Sequence, residues 1–339
     1  MFSFDDFSLQ GEEVLSLRRN IQDGRLVHAV LITGETGTGK KTLAKLLAAS
    51  LMCSEKDNIP CGSCNGCRLA ESGEHPDITF IEKGNPISPD VTRGKTKIPV
   101  DDIREMIRIC SQYSFEGGNR AVIIANAENM TAQAQNCLLK ILEEPPKNTY
   151  FIITSAHPDQ ILTTVKSRCR PVKLSPWPTS YVETVLRQAG AEPGKAARSA
   201  SVSGGSIGKA LALVSDEEYW NTRRQVTDAF FRNRKRSEVL SFSTAWKDRK
   251  ADADTLFSIL EDDLHRLLAC RLRQNGEHDI SEFPPEWQKF AAEAPVDRFT
   301  SLTDKIAEAR KQNAFNVNFQ AIAEQLILAF IGESDQWAK

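Results

Sequence analysis

The stretch from Val27 to Leu51 limits the fold of this chain more than any other. Val27 to Thr33 is apolar and extended in character. Gly34-Glu35-Thr36-Gly37-Thr38-Gly39-Lys40 follows, and Thr42 to Leu51 has the spacing of an apolar helix. A buried strand, a glycine loop and a helix in that order form the context of a phosphate-binding loop. Glycines let backbone N–H groups turn toward phosphate, and the lysine adds positive charge. The surrounding chain continues the alternation. Ala121 to Ala125 and Tyr150 to Thr154 read as strands, Ala132 to Leu142 as a helix stopped by Pro145-Pro146, and Val14, Leu17 and Ile21 fall on one helix face. Asp101 or Asp102 is placed to cap a further helix carrying Ile103, Met106, Ile107 and Cys110. Strands alternating with helices imply an α/β fold with a mainly parallel sheet.

The candidate nucleotide contacts are Gly34, Gly37, Gly39, Lys40, Lys41 and Thr42. The residue after the loop lysine should carry a hydroxyl for Mg²⁺. Here it is Lys41, a cation that cannot ligate a cation, and Thr42 is turned away by about 100° along the helix. Hydrolysis also needs an acid for the metal and a base or water-orienting residue at a neighbouring strand end. The chain has Ala125-Asn126 there, and Glu128 lies beyond the strand end, where it reads as readily as a surface residue. Three altered parts suggest a fold that kept its shape and lost its chemistry. No intrinsic ATPase is expected, and occupancy by ATP or ADP stays open.

Eight cysteines divide unevenly. Cys53, Cys61, Cys64 and Cys67 give C-x₇-C-x₂-C-x₂-C within residues 53–67. Four thiolates with no open position describe structural zinc. An iron–sulfur cluster uses the same donors, and disulfides would need an oxidising compartment. Nothing suggests export: Met1 to Gln10 has two aspartates and no basic residue, and no apolar stretch approaches the roughly 18 residues of a membrane helix. A cytoplasmic location is the expectation. Cys110 and Cys137 read as small core residues. The formal charge of −2 argues against a protein that coats DNA by bulk electrostatics.

Beyond Pro171 the character changes. Leu174-Ser175-Pro176-Trp177-Pro178 reads as a rigid linker, short helices interrupted by Ser203-Gly204-Gly205 follow, and the rest is helical. Leu256, Leu260, Leu264 and Leu267 carry the helical spacing, as do Phe299, Leu302 and Ile306. The expected domains are 1–174, an α/β domain; 175–214, a small helical domain; and 215–339, an all-α domain. Residues 223–250 hold nine Lys/Arg against three Asp/Glu, with Arg232, Arg234, Lys235 and Arg236 clustered. Such a run is a solvated face, an inter-subunit surface or a phosphate contact.

The motifs together resemble the AAA+ clamp-loader subunits of bacterial DNA polymerase III over nearly the whole chain. The residues that carry the likeness are His28-Ala29, the phosphate loop, the four-cysteine insertion, His75-Pro76-Asp77 and Ile98-Pro99-Val100-Asp101-Asp102-Ile103-Arg104. Leu138-Leu139-Lys140-Ile141-Leu142-Glu143-Glu144-Pro145-Pro146, Ser167-Arg168-Cys169 and Asn316-Val317-Asn318 complete the set. The resemblance implies an AAA+ domain with a zinc module, a helical lid and an oligomerising collar. Its gamma/tau motors would have Asp-Glu at Ala125-Asn126 and a sensor arginine at Gly208. Both departures point to the family's non-hydrolysing stator. The resemblance makes Arg168 an arginine finger projecting into the ATP site of a neighbouring subunit. It implies gamma/tau and delta subunits, the sliding clamp and primer–template DNA as partners, within a holoenzyme that is a nucleotidyltransferase complex, the DNA-directed DNA polymerase of replication. The alternatives are a gamma/tau-type motor that hydrolyses ATP itself and a zinc-dependent DNA-binding module.

Overall fold

The computed structural model describes residues 3–85, 87, 97–112, 118–232, 239–247, 250–272, 280–281, 283–315 and 317–337. Arg234, Lys235, Arg236 and Asn316 lie outside the described residues, as do residues 86 and 88–96 of segment 82–99, which is rich in Gly, Pro, Lys and Thr and reads from sequence as a mobile loop. Contacts divide the chain into two compact units. One comprises Met1–Val182 with Gly205–Lys209, and the other Glu183–Gly204 with Ala210–Lys339.

The first unit is built on five parallel strands: β1 (Ala29–Thr33), β2 (Ile78–Ile81), β3 (Arg120–Ile124), β4 (Thr149–Ser155) and β5 (Arg170–Lys173). Their order is β2-β3-β4-β1-β5. β3 is buried along its whole length, as is β1 apart from its last residue, and their segments Ala121–Ile124 and Ala29–Ile32 read as continuous apolar runs. The helices are α1 (Glu12–Gln22), α2 (Lys40–Leu51), α3 (Asn65–Ser72), α4 (Val100–Cys110), α5 (Ala132–Glu143) and α6 (Thr163–Lys166). One sheet face is packed by Ile103, Met106, Leu138 and Leu142 against Val122, Ile124, Phe151 and Ile153. The chain leaves β1 toward β2 on one side and leaves β4 toward β5 on the other. The carboxyl ends of β1 and β4 therefore flank the crevice where such sheets bind ligands.

One local detail differs from expectation. Neither Asp101 nor Asp102 is the cap of α4. Pro99 holds that position and the aspartates sit in the first turn, where carboxylates still suit the helix dipole. α5 starts as expected, with Thr131 Oγ accepting from the Ala134 amide at 3.2 Å.

The second unit contains helices and no strand among its described residues. α7 (Thr179–Gln188) leads into it, followed by α8 (Pro193–Ser201), α9 (Ile207–Leu213), α10 (Glu217–Thr227), α11 (Val239–Ala245) and α12 (Ala253–Leu272). α13 (Pro285–Glu293), α14 (Val296–Ala314) and α15 (Phe319–Trp337) close the chain. The core centres on Phe231, which meets Phe283, Trp287 and Phe330 edge-on at 4.9–5.4 Å. Arg223, counted among the basic run, is buried and ion-paired with Asp263, while Arg232 pairs with Asp228. Those two cations of the run thus have carboxylate partners within the chain. No described helix is long and apolar enough to cross a membrane.

Candidate functional site

The glycine loop closes on itself and on its neighbours. Lys40 is buried, and its ammonium donates to the carbonyls of Gly34 at 2.8 Å and Glu35 at 2.6 Å. Burial pushes its pKa below the usual lysine range, while the carboxylates of Glu128 and Glu35 act the other way. The next three carbonyls also have donors. Ser206 Oγ donates to Thr36 O at 2.9 Å, the Gly208 amide to Gly37 O at 3.0 Å, and Trp177 Nε1 to Thr38 O at 2.9 Å. Every carbonyl from Gly34 to Thr38 is engaged by a protein donor.

Two glycines make this approach feasible. A Cβ on Gly37, whose φ is +79°, would lie 2.1 Å from Ser206 Oγ and 3.2 Å from Gly208 Cα. A Cβ on Gly208 would lie 3.0 Å from Gly37 Cα. Gly208 is thus more than an absent arginine: the loop and the 205–209 segment touch backbone to backbone there.

Trp177, read from sequence as part of a linker, is 4% exposed. Its ring stacks on Tyr181 at 4.6 Å and meets Phe7 at 5.8 Å, and Phe7 lies under the loop beside Gly39. A tryptophan between two prolines was the available signal, because so large an apolar ring needs cover.

Lys41 projects from the first turn of α2 and forms an ion pair with Glu82. Asn126 Nδ2 donates to the same Glu82 Oε1 at 3.2 Å. An acid therefore does sit beside the degenerate metal position, on the neighbouring strand's end rather than in the Ala125-Asn126 pair. Parallel pairing of Ile81 with Ile124 brings Glu82 level with Ala125, although Glu82 and Asn126 are 44 residues apart in the chain. Glu82 already holds one ammonium, so the pair satisfies in protein atoms the charge that a metal would otherwise meet. Thr42 is half-buried in the same turn. Glu128 is not a plain surface residue: it is half-buried, and its Oε1 accepts from the Ala156 amide at 3.3 Å.

Arg168 follows α6. Its Nη1 donates to Thr164 O at 2.8 Å, and its Nη2 forms an ion pair with Glu143 at the end of α5. Its neighbour Cys169 is packed in the core, where burial pushes the thiol up to about 11. Cys110 is buried on the same core and likewise pushed up to about 11.

Cys53, Cys61, Cys64 and Cys67 come together, with all four sulfurs within 4.8 Å of one another. Backbone amides follow the sulfurs in series. Cys61 N donates to Cys53 Sγ, Cys64 N to Cys61 Sγ and Cys67 N to Cys64 Sγ, each at 3.4 Å. The Ser63 hydroxyl and the Cys64 amide pull the Cys61 thiol down to about 6, whereas burial pushes Cys67 up. Tetrahedral Zn–S bonds of about 2.3 Å put sulfurs about 3.8 Å apart. The Cys61–Cys67 separation of 4.0 Å fits that spacing.

The family model for "DNA polymerase III, delta subunit" matches residues 9–178. DNA polymerase III subunit delta' of Bacillus subtilis (strain 168) is 30% identical over 332 residues, covering 94% of this chain and 95% of that protein. Subunit delta' of Escherichia coli (strain K12) is 34% identical over 210 residues, covering 61% and 60%. Subunit tau of the same strain is 30% identical over 168 residues, covering 49% of this chain and 24% of its own.

Proposed function

The chain belongs to the DNA polymerase III delta' family, and from that premise we propose that it is the non-hydrolysing stator of a clamp loader. It would help place the sliding clamp on primed DNA, in a complex with gamma/tau and delta subunits. Similarity to tau over about half of the chain supports partners built on a related domain. Residues 1–174 would be the AAA+ domain, 175–214 the lid, and 215–339 the collar that joins the assembly.

The observation that carries the stator reading is the Lys41–Glu82–Asn126 cluster beside a loop whose carbonyls are all engaged. A motor needs a hydroxyl and acids to hold Mg²⁺ next to the γ-phosphate. Lys41 supplies an ammonium in their place, and Glu82 is committed to it. If a nucleotide entered, Gly34, Gly37, Gly39, Lys40, Lys41 and Thr42 would surround its phosphates, without the metal ligands for hydrolysis.

Arg168 would serve the adjacent subunit. There, water adds to the γ-phosphorus as the bond to the bridging oxygen of ADP breaks, and a guanidinium supplied in trans offsets the charge on the transferring group. The cysteine module would hold one structural zinc through Cys53, Cys61, Cys64 and Cys67. The four sulfurs within 4.8 Å of one another, one pair of them at 4.0 Å, and the amides directed at the sulfurs support that metal. The expected setting is the cytoplasm, where replication takes place.

Steady-state ATP turnover by the purified chain tests the reading. The expected result is no turnover above background with Mg²⁺, for the wild type and for Lys40→Ala alike. Motor-like turnover that Lys40→Ala abolishes would establish the gamma/tau-type alternative.

A further inference from the structure

Glu143 stands where a carboxylate is poorly placed. It is the last residue of α5, whose carbonyl end carries partial negative charge, and Glu144 follows it. Its location is fixed: Leu142 is 1% exposed on one side, and Pro145-Pro146 prevents the helix from continuing on the other. Arg168 is equally fixed, between the fully buried Val165 and the buried Cys169. The two anchored backbones bring the carboxylate of Glu143 to Nη2 while Thr164 O holds Nη1 at 2.8 Å. Among the described residues these bonds engage two of the five guanidinium N–H donors, and three remain for a phosphate.

We propose that Glu143 is a positioning residue for Arg168: it fixes the guanidinium in one orientation so that the remaining donors face the neighbouring subunit's ATP. This rests on the reading of Arg168 as an arginine supplied in trans. Both partners are partly exposed, with side chains 32% and 51% accessible, and such pairs contribute little to folding. The pair acts through direction. Catalysis by a positioned charge is sensitive to displacements of about 1 Å, whereas a freely rotating arginine would spend most of its time elsewhere.

The test uses the full chain assembled with gamma/tau and delta subunits, and compares the wild type with Arg168→Ala, Glu143→Ala, Glu143→Gln and the double variant Glu143→Ala/Arg168→Ala. ATP turnover in the presence of clamp and primed DNA is measured, and assembly is followed by gel filtration. Glu143→Ala should lower kcat about three- to tenfold with KM for ATP unchanged. Glu143→Gln, which keeps an oxygen acceptor, should recover at least half of that loss. The double variant should be no slower than Arg168→Ala. If Arg168→Ala lowers turnover while Glu143→Ala leaves it unchanged or raises it, the positioning role is overturned and the arginine reading survives. Additive losses in the double variant would also overturn it. If Arg168→Ala itself has no effect, the arginine reading fails and the positioning role with it.

Discussion

Gly37→Ala probes the closed loop most sharply, because the new methyl would enter the contact with the 205–209 segment. Two costs combine. An L-residue in the left-handed region loses about 1–2 kcal/mol, offset by about 0.4–1 kcal/mol from the less flexible unfolded chain. The methyl must also displace Ser206 Oγ, 2.1 Å away. That breaks its bond to Thr36 O and the bond it accepts from the Lys209 amide at 3.1 Å, at about 0.5–1.5 kcal/mol each. Gly24→Ala is the control, since Gly24 has φ +64° with nothing within 4 Å of a Cβ. It shares the backbone cost and lacks the collision. The difference between the two variants should be about 2 kcal/mol, or roughly 4–8 °C in the unfolding midpoint of a unit of this size. Thermal and urea unfolding of the full chain, with amide exchange at Gly208 as a local readout, would measure it. Faster exchange at Gly208 in Gly37→Ala alone is the expected signature. Equal stability in the two alanine variants, with Gly208 equally protected in both, would refute the claim that the loop is packed shut.

Two further outcomes follow from the same structure. Cys64→Ser should lower zinc from about one equivalent to near none by metal analysis and raise proteolytic sensitivity around residues 53–67, because a closed four-thiolate site cannot spare a ligand; a wild type without zinc would end the zinc reading. Arg120→Ala should destabilise the first unit by about 3–5 kcal/mol in urea titration. It removes an ion-pair partner of the buried Asp77 at 3.5 Å and the donors to Ile109 O and Gln112 O, so a loss below about 1 kcal/mol would contradict that.

The parts of the fold legible in sequence are those with uninterrupted apolar runs. β1, the glycine loop and α2 announce themselves, as do β3, α5 and β4. β2 and β5 escaped because they flank the sheet: β2 is only half-buried, and β5 has a single buried residue, Val172, beside Pro171. A proline is tolerated on an edge strand, which hides the strand from a pattern search. The missing residues of the site have the same origin. Glu82 reaches Asn126 only through the β2–β3 register, and Ser206 reaches Thr36 across 170 residues. The cysteines were readable because their spacing is local, so a chain-level pattern and a spatial cluster coincide.

The proposed stator, unable to run its own site, would complete another's through Arg168. Clamp-loading rate on primed DNA, by a complex reconstituted with Arg168→Ala, tests it most directly. Normal assembly and at least a tenfold slower rate are expected, in keeping with the large effects of arginines supplied in trans. A fully assembled complex that loads clamps at the wild-type rate would contradict it.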